Sequence, residues 1–264
     1  MAPSAPDFDV SSALKEVEVE RRTKISETAA LRIAQQIVTN RMPVGTALPS
    51  EKEMAASLGI GRNTMREALR ILETFGMIEI RTGRYGGPVV RRPDARNLSV
   101  SLTLAFYANG NSILQVLEAR LVIEPPLAAL AAKRVTVYEL DAMQATVDNI
   151  REHPGSEAVF LRESELFHNL VAEAADSPVL SHISAGLHSI AASESAGVKY
   201  EPRQYLTIAK THEDIIGALR ARDSELAEDL WRKHLSAAVA YWTKRYPKQT
   251  TPPIEWTIGM ADQR

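Results

Sequence analysis

Cysteine is absent from this 264-residue chain. That excludes a disulfide framework and any thiolate metal site, and makes a reducing cytoplasm the expected compartment. No uninterrupted apolar run approaches the ~18 residues that a membrane span needs. The segment Met1 to Val10 is polar, with Asp7 and Asp9, rather than basic and then apolar, so no secretory or membrane role is expected. Signatures of catalysis are also missing: there is no His-Glu-x-x-His helix, nucleophile elbow or glycine-rich phosphate loop. Internal repeats and low-complexity tracts are absent too. Net charge is small, -2, but unevenly placed. Residues 25–92 hold ten Lys or Arg against six Asp or Glu, whereas residues 93–264 hold 17 against 22. The earlier segment is the one that suits a polyanion.

The length allows two domains, each with its own core. Residues 1–24, rich in Pro, Ser and mixed charge, read as a flexible arm. Ile25, Ala29, Ile33 and Ile37 then repeat every four residues and predict an amphipathic helix. Ser50 followed by Glu53 is a capping box, with Pro49 keeping the preceding chain extended. The short helix it opens ends near Leu58, and Gly59-Ile60-Gly61 supplies a tight turn into a second helix from about Arg62 to Phe75. On that helix Met65, Ala68, Leu72 and Phe75 share a packing sector, while Arg62, Arg66 and Arg70 form a separate stripe beside Asn63. Met77 to Arg81 alternates like a strand, Thr82 to Gly87 is turn-rich, and Pro88-Val89-Val90 can return as its partner. The expectation is a winged helix-turn-helix over residues 25–92.

Leu48-Pro49-Ser50-Glu51 and Gly61-Arg62-Asn63-Thr64-Met65-Arg66-Glu67-Ala68-Leu69 resemble the signature of the GntR family of bacterial transcription regulators. Gly61 stands where that family has a capping Ser or Thr, and Lys52 where it has Arg. Glycine is only a slightly weaker cap, and lysine still reaches phosphate, so neither change argues against DNA. The resemblance implies a homodimer on a palindromic double-stranded DNA operator, one half-site per subunit. Its contacts would come from Lys52, Arg62, Asn63, Thr64 and Arg66, with Thr82, Gly83 and Arg84 from the wing. Arg62 and Arg66 either enter the major groove, where guanine is the commonest arginine target, or hold phosphates.

After a linker at 93–96, residues 97–246 give only helical signals. The breaks, near Gly110, Arg134 to Thr136, Pro154-Gly155, Ser177-Pro178, Pro202 and Arg222-Asp223, divide them into about seven helices. The tail, 247–264, with Pro247, Pro252 and Pro253, is expected to leave the helical core. The predicted fold is therefore mainly α. It resembles the FadR-like subfamily, whose helical effector domain, named FCD, carries an Arg-x-x-x-Glu helix matched by Arg120 and Glu124. Pro125-Pro126 within that helix should kink it.

Three histidines stand in separate predicted helices: His168, His212 and His234. Scattered histidines are ordinarily solvated or satisfied in a core. The resemblance implies that these three instead bind one divalent metal, with zinc or nickel suited to imidazole. Where the family has a metal-binding Asp, one turn before His168, this chain has Ser164. Its neighbours Glu163 and Glu165 point about 100° to either side. Three neutral ligands leave the ion's charge unbalanced, so a small carboxylate effector is expected, with Arg120 and Ser164 as candidate contacts. Arg120 could equally be a plain i,i+4 partner of Glu124. His182 and His188 are six apart and diverge, and His153 adjoins a turn; none is given a role. Trp231, Tyr241 and Trp242 read as packing residues, and Arg134 and Arg222 as solvated helix ends. Two rival readings remain: a metal-free regulator of a larger ligand such as an acyl thioester, and a three-histidine metalloenzyme.

Overall fold

The computed structural model describes residues 18–83, 86–192 and 197–254. The expected arm as far as residue 17, the wing residue Arg84 and the tail beyond residue 254 lie outside the described residues. The chain divides into two compact units, Met1–Pro93 and Asp94–Arg264.

In the first unit, helices α1 (Glu18–Thr39), α2 (Glu51–Leu58) and α3 (Arg62–Thr74) precede a hairpin of β1 (Ile78–Arg81) and β2 (Gly87–Val90). Helix α1 begins seven residues before the expected Ile25, because Glu18 to Lys24 contains no glycine or proline to stop a helix. Ala29, Ile33 and Ile37 are buried, but Ile25 is 43% exposed. A four-residue repeat drifts about 40° per step, so Ile25 has rotated off the face, and Ser26 is buried instead. Met65, Ala68 and Leu72 of α3 meet α1, Met54 and Ile78 in one core. Phe75, expected among them, is 55% exposed, since the helix ends at Thr74 and the chain turns away at Gly76 (φ 70°). The antiparallel strands pair Ile78 with Val90 and Ile80 with Pro88. Gly86 closes the wing so tightly that a Cβ there would clash with the Arg81 carbonyl oxygen.

The second unit contains seven helices of thirteen or more residues among the described residues: α4 (Ala95–Ala108), α5 (Ile113–Arg134), α6 (Val137–Glu152), α7 (Glu157–Ala174), α8 (Pro178–Ile190), α9 (Pro202–Arg220) and α10 (Ser224–Arg245). A single turn, α11 (Pro247–Thr250), follows. Capping boxes at Ser112/Gln115 and Thr136/Glu139 start α5 and α6. Helix α5 continues through Pro125 and Pro126 to Arg134. Two cores form. One gathers Leu127, Met143, Phe167, Ile215, Leu219 and Trp231; the other gathers Val116, Leu117, Leu187, Ile190 and Trp242.

Two expectations are corrected here. The tail does not leave the core at once: Thr250 is fully buried, Pro253 bridges Ser112, and the Ile254 N–H donates to the Asn111 carbonyl at 2.7 Å. Nor are Arg134 and Arg222 merely solvated. Arg134 Nη1 donates to the carbonyl of Ala175, the C-cap of α7, and to that of Asp176 just beyond it (3.0 Å), and Arg222 Nη1 donates to that of Ala132 in the last turn of α5 (3.3 Å). The last carbonyls of a helix lack intrahelical partners, and these guanidiniums supply them.

Candidate functional site

In the first unit, Glu53 N–H donates to Ser50 Oγ (3.3 Å) and Ser50 N–H donates to the Glu53 carboxylate (2.9 Å), so α2 starts on a complete capping box. Hydrogen bonds donated to the Glu53 carboxylate by the Ser50 hydroxyl (2.7 Å) and then by the Ser50 N–H hold that carboxyl below its ordinary pKa. Gly59, at φ 65°, makes the left-handed turn that redirects the chain. Gly61 is the N-cap of α3 and has no side chain to bond there. Opposite the buried Met65, Ala68 and Leu72, a polar surface groove is lined by Arg62, Asn63, Thr64, Arg66 and Arg70. Lys52 is exposed on α2, and Thr82 and Gly83 are exposed at the tip of the hairpin. Spacing alone does not foresee the tie between helices: Arg66 Nε and Nη2 donate to both oxygens of Glu51, at 3.1 and 2.9 Å.

In the second unit, α5, α7, α9 and α10 surround a cavity of about 510 Å³. His168 of α7, His212 of α9 and His234 of α10 converge there, each offering one nitrogen within 4.8 Å of the others. His168 Nε2 and His234 Nε2 are 3.1 Å apart. Either one ring donates a proton to the other, or both lone pairs face a common cation. His212 is fully buried and stacks on Phe167, with ring centroids 3.9 Å apart. Neither of its ring nitrogens has a hydrogen-bond partner, and the same holds for the buried Ser164 Oγ one turn before His168. A buried polar group without a partner costs about 1–3 kcal/mol. Unpartnered imidazole beside two further imidazoles is a donor set that fits a divalent ion of the zinc or nickel kind.

The protonation balance favours ligation. Burial first, then the other histidines, pushes His212 well below the usual histidine range. Burial, then His168 and Arg120, lowers His234 to about 3. Burial lowers His168 against the opposing pull of Glu124. All three are therefore neutral at pH 7, the form that binds metal.

Arg120 and Glu124 sit behind the histidines on α5. Arg120 is the i,i+4 partner of Glu124 and also lines the cavity. Its Nε donates to Glu124 Oε1 at 2.6 Å and its Nη2 to Oε2 at 3.3 Å. Trp231 Nε1–H adds a third donor to Glu124, at 3.2 Å. Burial raises the Glu124 carboxyl, but Arg120 and His168 outweigh it and hold the group well below the usual carboxylate range.

His188 belongs to this cluster as well. Its Nδ1 lies 2.8 Å from Arg120 Nη2, and its ring centroid is 4.7 Å from that of His168. Divergence from His182 is real: His182 bonds the Pro178 carbonyl on the exposed side of α8. A six-residue spacing, however, leaves one of the two free to point inward. Glu163 is turned away and bound by Asn149 and Arg162, whereas Glu165 lines the cavity.

Residues 25–85 match the profile of bacterial regulatory proteins of the gntR family, and residues 115–237 that of the FCD domain. The chain belongs to the GntR family. Among relatives of this regulator, the HTH-type transcriptional repressor NanR of Cronobacter sakazakii is 29% identical over 84% of this chain and 86% of its own. NanR of Citrobacter rodentium is 27% identical over the same shares. A solved structure of Streptococcus agalactiae GntR is 28% identical, with a TM-score of 0.58, over 81% of this chain and 99% of that one. The GntR regulator is thus a DNA-binding regulator of transcription with an FCD domain, not an enzyme, and the metalloenzyme reading falls. Among its described residues, no helix is long and apolar enough to cross a membrane.

Proposed function

We propose that this regulator represses transcription as a homodimer on a palindromic operator, and that a small carboxylate bound in the FCD cavity releases it. Repression is supported by the NanR relatives, which are transcriptional repressors. Arg62, Asn63, Thr64 and Arg66 of α3, with Lys52, Thr82, Gly83 and Arg84, form the DNA surface. His168, His212 and His234 hold one divalent ion, and that ion would supply a positive charge for an anionic effector. Ser164 Oγ donates to the effector, and Arg120 lends positive potential from behind.

The reading is carried by buried His212, whose two ring nitrogens have no hydrogen-bond partner and one of which lies within 4.8 Å of a nitrogen of His168 and of His234. Release requires that the effector bind the operator-free state more tightly than the bound one.

The test is metal content by elemental mass spectrometry on protein purified without a histidine tag, beside His168→Ala and His212→Ala. About one ion per chain, lost in both variants, is expected. Carboxylates should then raise the melting temperature of loaded wild-type protein and weaken its operator binding. Protein that stays metal-free even when offered zinc or nickel would sink the metal reading. It would favour a purely organic occupant, which the apolar walls of Leu117, Phe160, Ile208 and Leu230 and the missing carboxylate at Ser164 also suit.

A further inference from the structure

Glu51 is the first residue of α2, and its carboxylate takes two hydrogen bonds from Arg66, fifteen residues later on α3. The bonds use Nε and Nη2, one long edge of the guanidinium. An arginine has five N–H groups in a fixed plane, so the end edge, Nη1 and Nη2, keeps a parallel pair. That parallel pair is the arrangement that reads O6 and N7 of guanine. The Arg66 side chain is 53% exposed and lines the same groove as Arg62, Asn63 and Thr64.

Magnitudes decide what the pair is for. A half-exposed ion pair contributes only about 0–1 kcal/mol, so it does little for the fold. Phosphate holding fits poorly as well. The pair is neutral overall, and a neutral pair displaces few counterions from DNA. What the fork does strongly is fix direction: a long side chain with four rotatable bonds is set in one plane before DNA arrives.

We propose that Arg66 reads one guanine in each half-site and that Glu51 is its positioning residue. This rests on α3 being the DNA-facing helix. The experiment selects binders from a random-sequence duplex pool with the full-length protein and with Glu51→Gln, Glu51→Asp and Arg66→Ala. Affinities for the selected duplex and for base-substituted copies are then measured across a salt series.

Wild type should prefer guanine at one position by about tenfold or more. Arg66→Ala should erase that preference and leave the other positions intact. Glu51→Gln should reduce it to about threefold or less, while binding to unselected duplex rises and the salt slope steepens by about one ion as the freed guanidinium meets phosphate. Glu51→Asp should retain part of the preference. An unchanged base preference in Glu51→Gln, or an equal loss of affinity for every duplex, would overturn the proposal. Failure of wild type to enrich any sequence would overturn the reading of α3 itself, and the proposal with it.

Discussion

Glu124 is the residue on which the helical unit can be tested most severely. Its carboxylate receives the Arg120 fork and the Trp231 indole N–H, at side-chain exposures of 3% for Glu124 and 6% for Arg120. In Glu124→Gln the shape is kept, one acceptor becomes a donor facing donors, and Arg120 is left as a buried, uncompensated charge. Breaking one partner of such a pair costs about 3–5 kcal/mol. At about 2–4 °C per kcal/mol for a unit of this size, the midpoint should fall by roughly 6–20 °C.

The partner experiment fixes the cause. Arg120→Met alone should also be costly, whereas Arg120→Met/Glu124→Leu removes both charges. It should cost only the two polar atoms it orphans, the Trp231 N–H and His188 Nδ1, about 1–3 kcal/mol each. Thermal melts followed by far-UV circular dichroism, at one protein concentration and with chelator present, give these numbers. The sign of the pH dependence follows from the depressed Glu124 carboxyl, which is held low by Arg120 and His168 against burial. Its stabilisation is complete above the unfolded value of 4.5 and is lost only as pH falls through the lower folded value. The Glu124→Gln deficit should therefore be equal at pH 8 and pH 6. A deficit below about 1 kcal/mol, or a double variant whose cost equals the sum of the singles, would refute the reasoning.

Three further outcomes are expected. His212 is held neutral below the unfolded value of 6.5, so acidification protonates the unfolded chain first and stability falls below that pH. At pH 5.5 the loss from this one group is on the order of 1 kcal/mol, and in chelator-treated protein the pH 7.5-to-5.5 difference should shrink by that amount in His212→Gln. Ser50→Ala removes the α2 cap and should cost about 1 kcal/mol in denaturant titration of the full chain, with no effect on metal content. Gly86→Ala places a methyl against the Arg81 carbonyl; faster amide exchange in Ile78 to Arg81 should accompany weaker operator binding, and unaltered exchange would contradict the clash.

The first unit was largely legible because its signals are local. A serine and glutamate three apart, glycines at a turn and an arginine stripe each specify a conformation within one or two helical turns. Errors arose where a period was extended too far, as with Ile25 and Phe75. The second unit yielded its helices through their breaks but not its centre, which is assembled from side chains 22 to 66 residues apart in sequence, such as His168, His212 and His234. Their grouping was suggested by family resemblance. His188 had no such help: spacing establishes that it diverges from His182, but not which of the two faces inward. The Arg66–Glu51 fork and the capping roles of Arg134 and Arg222 likewise depend on how helices cross, which periodicity does not encode.

The unpartnered nitrogens of His212 and the hydroxyl of Ser164 have a consequence for abundance. Whatever satisfies them binds the folded chain and not the unfolded one, so it stabilises folding by RT ln(1 + [L]/Kd), about 2.7 kcal/mol at a hundredfold excess over Kd. Such a shift changes the fraction of chains open to proteases by roughly a hundredfold. The same atoms that receive a signal would then also set how long each copy of the regulator survives to carry it.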